Sequence, residues 1–296
     1  MGTDLRDASA EARRLFSQAD AITALPITRL CADGPLERLT ETDVAQPAVV
    51  VTSLAALAVL RERVSLDFAA VAGHSVGEYA AYMAAEVFDA ETGLKLVHAR
   101  AQAMAEACGE VHGSMAAVIG LDETRLREVC AAASSNGSSV EIANLNAPGN
   151  VIVSGAQDAL ERLAASATAA GARRVLPLNV GGPFHSAYMR PAAEALSRAL
   201  SGTALNSARV PVVANASAKP MRSPLELQNE LEVQVYSPVR WIETLQQLAG
   251  MGCDRFLEVG PGNVLAGLVR RTLQDVKVAS FGSLADLDAA TSLMAA

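Results

Sequence analysis

A sharp turn from a strand into a helix is predicted at Gly73-His74-Ser75-Val76-Gly77, directly after the apolar run 66–72. The run is predicted to be a central strand, and residues 77–87 are predicted to be a helix. Such a junction crowds the backbone, and glycines at positions 73 and 77 remove side chains that would clash. The fold must therefore place Ser75 at the apex of the turn, with its hydroxyl exposed at the start of a helix.

This position of Ser75 favours covalent chemistry. The backbone N–H of Val76 can point at an oxyanion formed on a carbonyl that Ser75 attacks. A serine hydroxyl needs a base to become a good nucleophile, and His185 is the candidate because it lies in a loop, Gly181–Ser186. Two alternatives stay open, namely an ordinary glycine-containing turn at Ser75 and an exposed loop histidine at position 185.

Arg100 is a candidate for binding an anion. It lies on a predicted helix, 91–107, and its neighbours three and four residues away on either side are apolar, so no acidic residue stands at helical spacing. A buried guanidinium needs an anion, and its shape suits two parallel hydrogen bonds to a carboxylate. The alternatives are that Arg100 reaches solvent or forms a salt bridge with a distant part of the chain.

Composition excludes several classes of function. The 296 residues are 51% hydrophobic and 19% charged, which excludes a disordered chain. The net charge of −8 argues against binding nucleic acid through its phosphates. The cysteines and histidines show no metal-ligand spacing, so we predict no metal site and no disulfide framework. The N-terminus is polar and the longest apolar run, 47–60, is too short to span a bilayer, so we expect a cytoplasmic protein that does not bind membranes.

The middle of the chain has a pattern of its own. Between residues 113 and 180 the predicted order is βαββαβ, which is typical of ferredoxin-like folds. We interpret 113–180 as a small subdomain inserted into a larger α/β domain that comprises 1–112 and 181–296. Outside the insertion, helices are predicted at 8–20, 44–62, 77–87, 91–107, 191–200, 225–235, 241–249 and a segment ending at 273, and strands at 66–72, 210–214 and 256–259.

Six blocks of the sequence resemble one family. The blocks are GHSVGEY (73–79), LVHARAQAM (96–104), NLNAPGNVIVSG (144–155), GPFHSAYM (182–189), VYSPVRW (235–241) and EVGPGNVLAGL (258–268). In this order they are similar to the malonyl-CoA:acyl-carrier-protein transacylases, a family that includes the acyltransferase domains of polyketide synthases. The resemblance implies an α/β-hydrolase-like core with a parallel sheet and an inserted ferredoxin-like (βαββαβ) subdomain, in agreement with the pattern of 113–180.

The resemblance also implies a role for each candidate residue. Ser75 matches the family nucleophile, and His185 matches the base. Arg100 matches the arginine that pairs with the free carboxylate of a malonyl group. Val76 matches the donor of an oxyanion N–H, and Gln234 matches the position whose main-chain carbonyl orients the histidine.

The implied activity is transfer of a malonyl group from malonyl-CoA to the phosphopantetheine thiol of acyl carrier protein, in fatty acid or polyketide biosynthesis. Phe184 is similar to the residue in malonyl-selective members, where a bulky ring disfavours a methylmalonyl branch. Coenzyme A enters as part of the substrate, and no metal or other cofactor is implied. The alternatives are a serine hydrolase or thioesterase with Asp158 as the acid of a triad, and an N-terminally shortened paralogue that only binds carriers.

One departure from the family concerns the N-terminus. Family members begin with a short apolar strand and a loop reading about PGQGSQ, whose glutamine completes the oxyanion hole. Here Met1–Leu5 aligns just beyond that loop, and no GQG occurs nearby. We therefore expect this sequence to lack one strand of the core sheet and one of two oxyanion donors. Our hypothesis is that the sequence starts late; a second hypothesis is that another element fills the gap or that the protein is degraded in function.

Overall fold

Helices make up the first part of the fold. The computed structural model describes residues 1–135 and 137–295; Asn136 and Ala296, which fall in the predicted small and large domains, lie outside the described residues. The helices of this part are α1 (Thr3–Ala8), α2 (Ala10–Thr23), α3 (Ile27–Asp33), α4 (Leu36–Leu39), α5 (Thr42–Arg63), α6 (Gly77–Ala84) and α7 (Ala90–Glu110). Helix α2 begins where the Ser9 side chain accepts a hydrogen bond from the Ala12 N–H at 3.1 Å, which supplies its N-cap.

A four-stranded antiparallel sheet follows. Its elements are β1 (Gly113–Ile119), α8 (Glu123–Ala133), β2 (Val140–Ala147), β3 (Asn150–Ala156), α9 (Gln157–Ala169) and β4 (Arg174–Pro177). The strand order is β2-β3-β1-β4, so the βαββαβ pattern is that of a ferredoxin-like sheet. Helices α8 and α9 bury Leu126 and Leu163 against the sheet, in a hydrophobic cluster that is separate from the core of the first helices. The division of the whole chain into a domain of 1–112 with 181–296 and a domain of 113–180 stays a prediction.

Helices and short strands alternate after this sheet. These elements are α10 (Arg190–Ser201), β5 (Val212–Val213), β6 (Pro220–Met221), α11 (Pro224–Gln234), α12 (Trp241–Gly250), β7 (Arg255–Val259), α13 (Val264–Thr272), β8 (Lys277–Phe281) and α14 (Leu287–Ala295). Each element predicted in this part is present within two residues of its predicted bounds. Strands β6 and β8 and helix α14 were not predicted.

The predicted parallel sheet is present only in pieces. Strands β7 and β8 pair in parallel, whereas β5 and β6 form a separate antiparallel pair. The prediction of a strand at 66–72 is wrong, because only Val71 pairs there, in a parallel bridge to Val212. Strand β5 is two residues long, and its bridge to Val71 stays isolated among the described residues.

Helix α5 lies at the centre of the helical core. Its 22 residues are long and apolar enough to cross a membrane. The prediction that the apolar segment around 47–60 is too short to span a bilayer is therefore wrong. The most apolar window of α5 is 67% buried inside the protein, however, and the helix packs against α2 and α7. Burial of this kind is typical of the core helix of a globular fold.

Candidate active site

The turn around Ser75 is tight. Ser75 has a backbone φ of 52°, in the left-handed region that residues other than glycine rarely adopt. A Cβ built on Gly73 would lie 2.0 Å from the Gly77 carbonyl oxygen, so a side chain there would force the backbone to move. A Cβ built on Gly77 would meet nothing within 4 Å. The structure therefore contains the predicted clash at Gly73, whereas the clash predicted at Gly77 is wrong.

Ser75 and His185 form a hydrogen-bonded pair. His185 comes from the loop before α10, is 3% exposed, and places its Nε2 2.7 Å from the Ser75 Oγ. The His185 Nδ1 lies 3.0 Å from the carbonyl oxygen of Gln234 and 3.2 Å from that of Ser237. Carbonyl oxygens only accept, so Nδ1 carries the proton and Nε2 is free to accept the proton of the Ser75 hydroxyl.

The surroundings of His185 keep its ring neutral. Burial first, and the positive charge of Arg100 second, lower the pKa of His185 to about 3. The hydrogen bonds to the carbonyls of Gln234 and Ser237 act in the opposite direction. At neutral pH the imidazole is therefore in the form that can accept a proton from Ser75.

Arg100 reaches the same serine from α7. Its side chain is 1% exposed, so the alternative that it reaches solvent is wrong. Nη2 donates to the Ser75 Oγ at 3.1 Å and to the Gln234 Oε1 at 3.1 Å, and Nη1 donates to the Gln46 Oε1 at 2.5 Å. These three acceptors are neutral, so the guanidinium charge has no carboxylate in direct contact among the described residues. The alternative of a salt bridge for Arg100 is wrong for the same reason.

Three polar side chains of the site were not found from the sequence. Gln46 holds Arg100 from α5. Asn215, two residues beyond β5, accepts the Ser75 N–H on its Oδ1 at 2.7 Å and donates from Nδ2 to the Gly73 carbonyl at 2.6 Å. The Gln234 side chain donates to the Ser75 carbonyl oxygen at 2.9 Å, in addition to the predicted contact between its main-chain carbonyl and His185.

Val76 directly follows Ser75, and Phe184 directly precedes His185. No hydrogen bond from the Val76 N–H occurs within 1–135 and 137–295, so this donor is unused at the start of α6, next to the Ser75 hydroxyl. Phe184 directly precedes His185, is half-buried, and packs against both the helical core and one face of the small sheet. Phe184 is thus the chain neighbour of His185, and the predicted roles of both residues stay predictions.

Asp158 is not part of this site. It is exposed on α9, where it pairs with Arg162 one helical turn away at 2.8 Å. Both acceptors of the His185 Nδ1–H are backbone carbonyls. The prediction of a triad with Asp158 is therefore wrong, and a hydrolase built on that triad is not supported.

Comparison with known proteins agrees with this arrangement. Residues 1–290 match the family model described as an acyl transferase domain. The chain belongs to the acyl transferase domain family. Among its relatives, the malonyl CoA-acyl carrier protein transacylase of Bacillus subtilis is 39% identical over 278 residues, which cover 94% of this chain and 87% of the relative. The transacylase of the same name from Escherichia coli K12 is 37% identical over 278 residues, covering 94% of this chain and 90% of the relative.

Solved structures share the fold of this acyl transferase. An acyl carrier protein S-malonyltransferase from Vibrio cholerae superposes with a TM-score of 0.92 at 36% identity, covering 98% of this chain and 94% of the other. A malonyl-transacylase in complex with a type II PKS acyl-carrier protein superposes with a TM-score of 0.94 at 35% identity, covering 100% and 95% of the two chains. The predicted α/β fold class and the family resemblance are therefore confirmed.

Proposed function

We propose that this acyl transferase moves a malonyl group from malonyl-CoA to the phosphopantetheine thiol of acyl carrier protein, in fatty acid or polyketide biosynthesis in the cytoplasm. One observation carries the proposal: the Ser75 Oγ lies 2.7 Å from the His185 Nε2 and 3.1 Å from the Arg100 Nη2. A base and a cation suited to binding a carboxylate thus both contact one nucleophilic oxygen. The names of the similar proteins point to the same donor and acceptor.

In the first half-reaction Ser75 attacks the thioester carbonyl while its proton moves to the His185 Nε2. The new Oγ–C bond forms a tetrahedral oxyanion, to which the free Val76 N–H donates. The C–S bond then breaks, and the sulfur of coenzyme A leaves with the proton from His185. Arg100 pairs with the free carboxylate of the malonyl-serine ester. Metal and redox chemistry have no part in this scheme.

In the second half-reaction the thiol of the carrier loses its proton to His185 and attacks the malonyl-serine carbonyl. The C–Oγ bond breaks, and Oγ recovers the proton from His185. The two half-reactions share one covalent intermediate, so ping-pong kinetics are expected. The half-buried ring of Phe184 next to His185 would crowd an α-methyl branch, which favours malonyl over methylmalonyl.

The test is an intact-mass measurement after exposure to malonyl-CoA. We expect a malonyl adduct on the unchanged protein, none on Ser75→Ala, and loss of the adduct when phosphopantetheinylated carrier is added. Release of free malonate faster than transfer to the carrier would favour a thioesterase. Carrier binding without any adduct would favour a non-catalytic paralogue, and either result would overturn the proposal.

A further inference from the structure

A buried carboxyl group lies one helical turn beyond Ser75. Glu78 is completely buried on α6, and the proposed reaction does not use it. Its Oε1 accepts the Asn215 N–H at 3.0 Å, and its Oε2 accepts a hydrogen bond from the Gln234 Nε2 at 2.5 Å. Glu78 therefore binds the side-chain amide of Gln234 and the main chain of Asn215, the two residues whose side chains bind the backbone of Ser75.

The Gln234 side chain has one orientation that satisfies its neighbours. Its Nε2 donates to the Ser75 carbonyl and to Glu78, and its Oε1 accepts from the Arg100 Nη2 at 3.1 Å. A carbonyl and a carboxylate only accept, and a guanidinium only donates. A reversed amide would place oxygen against oxygen at Ser75 and N–H against N–H at Arg100.

The charge on Glu78 favours this orientation. Both of its oxygens face donors, so a protonated Glu78 would have no acceptor for its proton among the described residues. Burial, and then the nearby carboxyl of Glu230, hold the pKa of Glu78 well above its usual range, although the hydrogen bonds from Gln234 and Asn215 and the charge of Arg100 act in the opposite direction. The carboxylate is the form that matches the observed donors.

We propose that Glu78 is a positioning residue, whose carboxylate fixes the amide of Gln234 with its oxygen towards Arg100 and so holds the guanidinium beside the Ser75 Oγ. Glu78 and Arg100 are linked through one amide and do not touch. This link leaves the guanidinium in place yet free of a competing carboxylate. The inference rests on the proposed function, because its consequence is selection of an acyl group that carries a carboxylate.

The Glu78→Gln substitution tests the link. The introduced amide can turn its oxygen to the Asn215 N–H, but its NH2 group then faces Gln234. The Gln234 amide must turn in response, which removes the acceptor of the Arg100 Nη2. We expect the ratio of malonyl to acetyl acylation rates of Ser75, measured in single-turnover reactions with the two CoA thioesters, to fall about 10- to 100-fold.

Glu230→Gln is the matched control. Glu230 is 3% exposed and accepts from the Ala216 N–H and the Ser217 Oγ, but not from Gln234. The same substitution there removes a buried carboxyl from the same region, and it also removes a neighbour that raises the pKa of Glu78. We expect the malonyl-to-acetyl ratio to stay within about twofold of the unchanged protein. An equal fall in both variants would overturn the proposal.

A double-mutant cycle separates positioning from general destabilisation. Gln234→Ala keeps the main-chain carbonyl that orients His185 but removes the amide. We expect Gln234→Ala to lower the ratio as Glu78→Gln does, and the double variant to lower it no further. Additive effects in the cycle would overturn the proposal. If Glu78→Gln did not fold, an unchanged ratio in Gln234→Ala alone would overturn it. Absence of malonyl loading in the unchanged protein would instead refute the proposed function.

Discussion

Replacing Arg100 by alanine should change which acyl group the protein selects. The guanidinium can offer two charge-assisted hydrogen bonds to a substrate carboxylate, each contributing about 1.5–3 kcal/mol. Together they amount to about 3–6 kcal/mol, or about 10²- to 10⁴-fold in kcat/KM for a malonyl thioester. An acetyl thioester has no carboxylate, so its acylation rate should change far less. The variant should therefore prefer acetyl-CoA relative to the unchanged protein.

The assay is the rate of acyl-serine formation by intact mass, with malonyl-CoA and acetyl-CoA in parallel on the same protein. Acetyl-CoA is the internal control, because any loss of folded protein lowers both rates equally. The ratio of malonyl to acetyl acylation rates of Arg100→Lys should lie between those of the unchanged protein and Arg100→Ala, since an ammonium keeps the charge but lacks the parallel N–H pair. Full malonyl selectivity in Arg100→Ala would refute the reasoning.

Four further outcomes are expected. Gly73→Ala should abolish acylation and lower the thermal midpoint, because its Cβ would lie 2.0 Å from the Gly77 oxygen, whereas Gly77→Ala should leave the midpoint within a few degrees. The pKa of His185 is lowered to about 3, so acylation rates should stay level from pH 8 to about pH 5, and a half-loss near pH 6.5 would contradict this. Unfolding free energy should fall as pH drops below about 6.5, because the unfolded chain then takes up a proton that the folded one excludes until about pH 3. Phe184→Ala should raise kcat/KM for methylmalonyl-CoA relative to malonyl-CoA by about 10- to 100-fold in a competition assay, and an unchanged ratio would count against a steric role.

The ferredoxin-like part of the fold could be predicted because its signal is local. Strands β1 to β4 and helices α8 and α9 each carry their own apolar periodicity, and short loops separate them. The run 66–72 is equally apolar, but strand formation also needs a partner. The partner of Val71 is strand β5, which is only two residues long. The apolar pattern of 66–72 carries no information about the length of its partner strand. In the β7–β8 ladder only β7 was predicted, although both strands are five residues long.

The reacting groups were found because their residue types are rare in such contexts. A serine between two glycines, a loop histidine and an arginine on an apolar stripe each stand out. The side chains of Asn215 and Gln234 do not stand out, because they lie 140 and 159 residues from Ser75 and uncharged amides are common in all parts of a protein sequence. The weak signal that was available is a polar residue within an apolar run, as at Gln46 in the segment VAQPAVVV.

The neutral acceptors around His185 and Arg100 explain how one site can use a dyad and still select a charged acyl group. An aspartate at the His185 Nδ1 would raise the pKa of the ring, but its charge would also attract the guanidinium whose Nη2 lies 3.1 Å from the Ser75 Oγ. Carbonyl oxygens of Gln234 and Ser237 fix the ring without that charge. Arg100 therefore keeps a positive charge that no carboxylate contacts among the described residues. In the proposed reaction a substrate carboxylate would complete this arrangement, and its binding would also offset the charge that lowers the pKa of His185. Under the proposed function, recognition of the acyl group and activation of the serine would thus both involve the same guanidinium.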